Sequence, residues 1–242
     1  MGKIYIAGIG PGSAGMMTRQ AEEALAASDV IIGYRTYTDL VKDRYPDKEY
    51  IESGMRDEIG RCEKCVELAK SGKTIALICS GDPGVYGMAS PLLEIAQREG
   101  FDDVEVVPGI TAALSGAAAL GAPLANDFCV ISLSDLLTPW DVIEKRLESA
   151  ASAGFSIAIY NPASHGRADH LKKACEILMR ILPGSTACGY AKNIGRDGME
   201  TGTCMLSELS GIPAGMTTTV FIGNAQTKIS CGRLITPRGY EL

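Results

Sequence analysis

Six short segments carry residue types that chemistry can use. "GIGPG" (Gly8–Gly12) follows one apolar run, and "SGDPGVYG" (Ser80–Gly87) places glycines, a proline and an acid behind another. Glycine lets backbone approach a ligand closely, and Asp82 offers a carboxylate to donors or to positive charge. "PGIT" (Pro108–Thr111), "SLSD" (Ser132–Asp135), "YNP" (Tyr160–Pro162) and "AKN" (Ala191–Asn193) follow further apolar runs. Each alone fits an ordinary turn. Together they predict a trough lined by loops from two domains, a normal place for a ligand pocket.

The first turn departs from a dinucleotide fingerprint. G-x-G-x-x-G needs a third glycine for close helix–strand packing and an acid about 20 residues on. Here Ser13 stands at the third position, Pro11 removes a backbone donor, and the second strand ends in "IIGYRT" without a carboxylate. A nicotinamide-dependent oxidoreductase is therefore a rival reading, tested by NADH binding. Cys62 and Cys65, in "RCEKC", have the spacing used by zinc and redox sites. They lie in a helical pattern with no second pair or nearby histidine, so the expectation is two helical thiols and no metal. A zinc-handling scaffold is the other rival.

The elements that position these loops alternate. "KIYIAGIG", "DVIIGY", "KTIALIC" and "DVEVV" read as strands; "TRQAEEALAAS" (capped by Thr18), "RDEIGRCEKCVELAKSG" (ending at Gly72), "MASPLLEIAQREG" and "TAALSGAAALG" read as helices. The pattern breaks at "GAPLANDF" and resumes with "CVISLSD", "WDVIEKRLESAAS", "FSIAIYNP", "HLKKACEILMRIL", "TACGYAKN" and "TTTVFIGN". Strand–helix alternation predicts an α/β protein of two domains, 1–121 and 127–242, with mostly parallel or mixed sheets and a linker around 121–127.

Composition bounds the partners. The 242 residues carry a net charge of −6, which argues against nucleic acid, and no apolar run is long enough for a membrane span. The N-terminus enters a strand without a charged-then-apolar leader, so the expectation is a cytoplasmic protein with reduced thiols.

"GIGPG", "GDPGVYG", "VVPGITAA", "GAPLANDF", "ISLSDLLTPW", "YNPAS" and "TPRGY" together resemble the tetrapyrrole (corrin/porphyrin) methyltransferases. The resemblance covers essentially the whole chain. It is closest to the precorrin-3B C(17)-methyltransferase branch of cobalamin biosynthesis, which includes the cobalt-factor III enzymes. It implies a homodimer of two-domain subunits that binds S-adenosylmethionine between the domains and methylates a tetrapyrrole with ring contraction. Carried over position by position, it implies cofactor contacts at Pro11, Ser80, Gly81, Asp82, Val85, Thr111, Ala112 and Asn161, and at Lys192, Asn193 and Ile194. Gly10 and Gly12 would shape the substrate side. Arg35, Arg167, Arg196 and Arg238 would pair with the substrate's carboxylates. Asp82, Asp127, Asp135, His165 and Lys192 are candidates for the proton transfers of ring contraction, with none preferred; of the two histidines, His165 after a strand end is better placed than His170 in the following helix. Two positions depart from the pattern: Asn126 stands where the branch usually has histidine, and Tyr34 where related uroporphyrinogen enzymes have an aspartate. Another methylation position, or a diphthamide methyltransferase, stays open within the superfamily.

Overall fold

The computed structural model describes residues 2–54, 57–164 and 166–241. The chain separates into two compact units, residues 1–112 and 113–242.

The first unit is a five-stranded parallel sheet built from β1 (Ile4–Gly8), β2 (Val30–Tyr34), β3 (Glu49–Ser53), β4 (Ile75–Cys79) and β5 (Val104–Val107), in the order β3-β2-β4-β1-β5. Its central strands are buried on both faces, which is why they read as unbroken apolar runs rather than alternating ones. Alternate residues still part to opposite sides. Ile4, Ile6, Val30, Ile32, Ile75 and Leu77 pack with Cys62, Cys65 and Val66 of α3 (Glu58–Lys70) and Leu92 and Ile95 of α4 (Ala89–Arg98). Ala7, Ile31, Ala76 and Ile78 pack with Ala21, Ala24 and Leu25 of α1 (Arg19–Ala27). Thr18 caps α1 as expected, its hydroxyl accepting from the Ala21 amide at 3.1 Å. A short helix, α2 (Arg35–Thr38), follows β2. Strand β3 was not expected: "EYIES" is polar and half-buried because it lies at the sheet edge.

Chain division falls at the start of α5 (Ala112–Leu120), earlier than the expected linker. This small-residue helix packs on the second unit's sheet. A side chain on Gly116 would come within 2.9 Å of the Phe221 ring, and one on Gly189 within 3.2 Å of Leu120. Within the expected linker, β6 (Gly121–Ala122) pairs with a later strand, so that segment is structured.

The second unit's main sheet is mixed. It comprises β7 (Phe128–Ser132), β8 (Ser156–Tyr160), β9 (Ala187–Lys192), β10 (Glu200–Met205) and β11 (Thr218–Ile222), in the order β10-β9-β11-β8-β7. Only β7 and β8 run parallel. Helices α6 (Trp140–Ser152) and α7 (His170–Leu178) cover one face through Ile143, Leu147, Leu171 and Ala174. A small sheet of β12 (Lys228–Ser230), β13 (Arg233–Ile235) and β6 completes the fold. No helix among the described residues is long and apolar enough to cross a membrane.

Cys62 and Cys65 point into the core of the first unit, and no group of three potential metal ligands occurs among the described residues. Burial pushes the Cys62 thiol from 9.0 up to about 12 and Cys79 up to about 11, and raises Cys65 as well. The native thiols thus keep their protons at pH values where an unfolded chain loses them. Their contribution is complete below pH 9 and declines as pH rises toward 12, because the native state then binds more protons. Thermal unfolding should therefore shift to lower temperature from pH 9 to 11. Thiol titration of the native protein at pH 8 should find Cys231, the exposed one, reacting quickly, while Cys62, Cys65 and Cys79 wait for unfolding.

Candidate functional site

In the first unit the loops after β4, β1 and β5, three neighbouring strands, are fastened together through backbone. Gly10 and Gly81, both at φ +72°, form an antiparallel bridge. The Gly10 amide donates to the Gly81 carbonyl at 3.2 Å, and the Gly81 amide donates to the Gly10 carbonyl at 2.7 Å. The left-handed conformation suits glycine, and the spacing demands it elsewhere. A Cβ on Gly109 would sit 2.0 Å from the Gly81 carbonyl oxygen, and one on Gly8 would sit 2.7 Å from the Gly109 nitrogen.

Asp82 completes the fastening. Its Oδ1 accepts from the Gly84 amide at 2.8 Å, closing its own turn, and its Oδ2 accepts from the Gly109 amide at 3.0 Å. Such charge-assisted bonds to backbone are worth about 1.5–3 kcal/mol each. The carboxylate, expected to serve donors or positive charge, thus takes two backbone amides and holds the β4 and β5 loops in register. Thr18 adds a further tie, its hydroxyl donating to the Pro108 carbonyl at 3.1 Å. Pro11 is buried beside Gly10, while Gly12, Ser80, Val85, Thr111 and Ala112 are half-buried along the same three loops. The sequence-expected contacts of this unit therefore collect at the carboxyl ends of adjacent strands, where open α/β sheets receive ligands.

Arg35 lies farther along the sheet, after β2. It is exposed and reaches Glu52 Oε2 at 3.5 Å. Glu52 also accepts from Lys42, at 2.6 Å, and from the Thr38 hydroxyl. The Lys42 bond, with Thr38 second, holds the Glu52 carboxyl below its usual range. Tyr34, registered against Ser53, stands edge-on to Tyr37 at 5.3 Å.

In the second unit the parallel register Ser132↔Tyr160 brings "SLSD" beside "YNP". Asn161, at φ +53°, donates from Nδ2 to Ser132 Oγ at 2.8 Å, and the Ser134 amide donates to the same oxygen at 3.2 Å. The Tyr160 hydroxyl accepts from the Ala113 amide in the first turn of α5 at 2.7 Å. Asp135 lies 3.8 Å from Arg167 and 3.5 Å from His170 Nε2. Arg167 further donates to Ser134 Oγ at 2.6 Å and Ser164 Oγ at 3.0 Å. Its guanidinium is therefore occupied within this loop cluster, in contrast to the expected role of a substrate-facing arginine.

His170, discounted from sequence, is the histidine that meets Asp135; His165 lies outside the described residues. No local spacing signals this pair, because the two residues meet only through the β7–β8 register. Asp127 holds the foot of β8 through its carbonyl, which accepts from the Ser156 amide at 3.1 Å, and its side chain is exposed.

After β9, Asn193 takes φ +51°, donates from Nδ2 to the Gly198 carbonyl at 3.3 Å and accepts from the Thr217 hydroxyl at 2.7 Å. Lys192 sits 3.9 Å from Glu200. The Ile194 side chain is buried against Gly116 of α5 and so belongs to the core. Arg196 is half-buried in the turn that follows, its amide donating to the Asn193 carbonyl at 2.9 Å, whereas Arg238 is exposed near the C-terminus.

Residues 3–210 match the family described as Tetrapyrrole (Corrin/Porphyrin) Methylases. The probable cobalt-factor III C(17)-methyltransferase of Salmonella typhimurium is 48% identical over 240 residues, covering 99% of this chain and 100% of that protein. The precorrin-3B C(17)-methyltransferase of Sinorhizobium sp is 41% identical over 232 residues, covering 94% and 91%. Among solved structures, the methyltransferase CobJ superposes with a TM-score of 0.92 at 34% identity, covering 98% of this chain and 100% of that one.

Asp82→Ala leaves the Gly84 and Gly109 amides without their acceptor and should cost about 2–5 kcal/mol in urea unfolding. Gly109→Ala should destabilise at least as much, since backbone must move. Gly15→Ala, with nothing within 4 Å of the new methyl, should change stability little.

Proposed function

The chain belongs to the tetrapyrrole (corrin/porphyrin) methylases, and from that premise we propose that it methylates carbon 17 of a cobalamin-pathway tetrapyrrole, cobalt-factor III or precorrin-3B, using S-adenosylmethionine, with accompanying ring contraction. The observation that carries this reading is the 48% identity with the Salmonella probable cobalt-factor III C(17)-methyltransferase over 99% of this chain and 100% of that protein. The NADH and zinc readings have no comparable support.

The residues present fit the methyl donor. Loops that are nearly free of side chains at Gly10, Gly12, Gly81 and Gly84 let a ligand approach backbone, and the glycine fastening keeps that backbone fixed. S-adenosylmethionine supplies a methyl group on a sulfonium, which leaves as a neutral thioether. The protein's task is alignment, which can lower a barrier by roughly 7–11 kcal/mol when donor and acceptor are well placed. We assign contact with the donor to Pro11, Ser80, Gly81, Val85, Thr111, Ala112 and Asn161, and to the backbone of Lys192, Asn193 and Ile194. Asp82 acts behind them by holding two of the loops. Arg35, Arg196 and Arg238 are the arginines assigned to substrate carboxylates. We place the protein in the cytoplasm as a homodimer, which sedimentation would check.

Calorimetry should give a weaker affinity for S-adenosylmethionine in Asp82→Ala and Asn161→Ala, with Arg19→Ala, an exposed helix position, unchanged. Equal affinities across all of these would remove the site assignment. Incubation with cobalt-loaded and metal-free substrate in parallel, followed by mass spectrometry, should show one added methyl on at least one of them; methylation of neither would remove the functional reading.

A further inference from the structure

The second unit holds a titratable pair that methyl alignment alone does not employ. His170, first residue of α7, places Nδ1 2.9 Å from the Leu133 carbonyl oxygen. A carbonyl only accepts, so Nδ1 carries the hydrogen and the lone pair of the neutral ring is on Nε2. Nε2 faces Asp135 Oδ2 at 3.5 Å. The Trp140 indole lies 4.8 Å from the imidazole, tilted by 50°, and fixes its plane. Charged groups facing the pair, among the described residues, are Arg167, 3.8 Å from the far oxygen of Asp135, and Lys173 of α7, 5.5 Å over the Trp140 ring.

Exposure is asymmetric: the Asp135 side chain is 39% exposed and that of His170 8%. An accessible proton acceptor thus stands in front of a buried one. Ser132 ties the arrangement to Asn161, so Asp135 is carried on the same loop pair as a residue assigned to the methyl donor.

We propose that Asp135 and His170 form a two-seat proton store for the methyl transfer, Asp135 receiving the proton and His170 positioned behind it. This rests on the methylation reading above. When an electron pair of the ring forms the new carbon–carbon bond, the carbon–sulfur bond breaks toward sulfur, and the tetrapyrrole carries one more positive charge. It regains its former charge by releasing a proton. The Asp135 carboxylate takes that proton and passes it to Nε2, leaving a carboxylate beside an imidazolium; water removes the proton before the next cycle. An imidazole is intrinsically a stronger base than a carboxylate, and this gives the second seat its purpose.

His170→Asn keeps an N–H donor for the Leu133 carbonyl and removes the proton seat; Asp135→Asn removes the first seat. Both variants should bind S-adenosylmethionine within about twofold of the unmodified protein, while kcat on cobalt-factor III falls about 10²-fold or more. The kcat–pH profile should change shape in each, and the double variant should be no slower than either single one. Unchanged kcat and pH profile in His170→Asn would overturn the proposal. With only two histidines in the chain, nitrogen NMR gives a second readout. The His170 Nε2 resonance should move in Asp135→Asn, since the carboxylate 3.5 Å away is lost, and a resonance that stays put would overturn the pairing whatever the activity. An inactive parent protein in which that resonance still moves would instead remove the methylation reading and keep the pair.

Discussion

The reciprocal backbone bridge between Gly10 and Gly81 is the constraint on which the first unit's site depends. Loops at strand ends are ordinarily the freest parts of an α/β sheet. Here two of them are locked as an extension of the sheet, and Asp82 adds the third by taking the Gly109 amide. Gly8 and Gly109 leave no room for a side chain against one another and the Gly81 carbonyl, and Gly10 and Gly81 hold left-handed backbone, so these four glycines answer to the fastening before they answer to any ligand. Rigid placement is what an alignment-driven displacement requires, because small misplacement of the reacting atoms is costly.

The second unit reaches the same end by side chains rather than backbone. Ser132 gathers Asn161 and the Ser134 amide, Arg167 gathers Ser134 and Ser164, and His170 holds the Leu133 carbonyl. Asn161 and Asn193 both occupy left-handed backbone, which asparagine tolerates better than most residues. Polar loops can therefore be ordered without the close glycine contacts of the first unit.

Much of this was legible in the amino-acid sequence, and the failures have physical causes. Buried parallel strands such as "IALIC" announce themselves as apolar runs, and α6 and α7 announce themselves by periodicity. Edge strands and very short ones do not: β3 and β10 lie at sheet edges and are half polar, and β12 and β13 are three residues each. Loop identity pointed to these strand ends, but partnership did not. Asp82 reads as an acceptor for donors or positive charge, but nothing local says which donors, since Gly109 lies 27 residues on. His170 looked like a helix residue because Asp135 reaches it only through tertiary register. The division of the chain was expected at a break in pattern, whereas α5 belongs with the sheet it covers.

That helix carries a consequence for how the fold can change over time. Gly116 meets the Phe221 ring and Ile194, and Leu120 fills the space above Gly189. Gly116 cannot gain a methyl unless the Phe221 ring gives way, and a methyl on Gly189 would press on both Leu120 and the Gly202 carbonyl, at 3.1 Å. These positions should drift as couples across descendants of this fold, small facing large, with the sum of the two sizes held nearly constant while each partner varies.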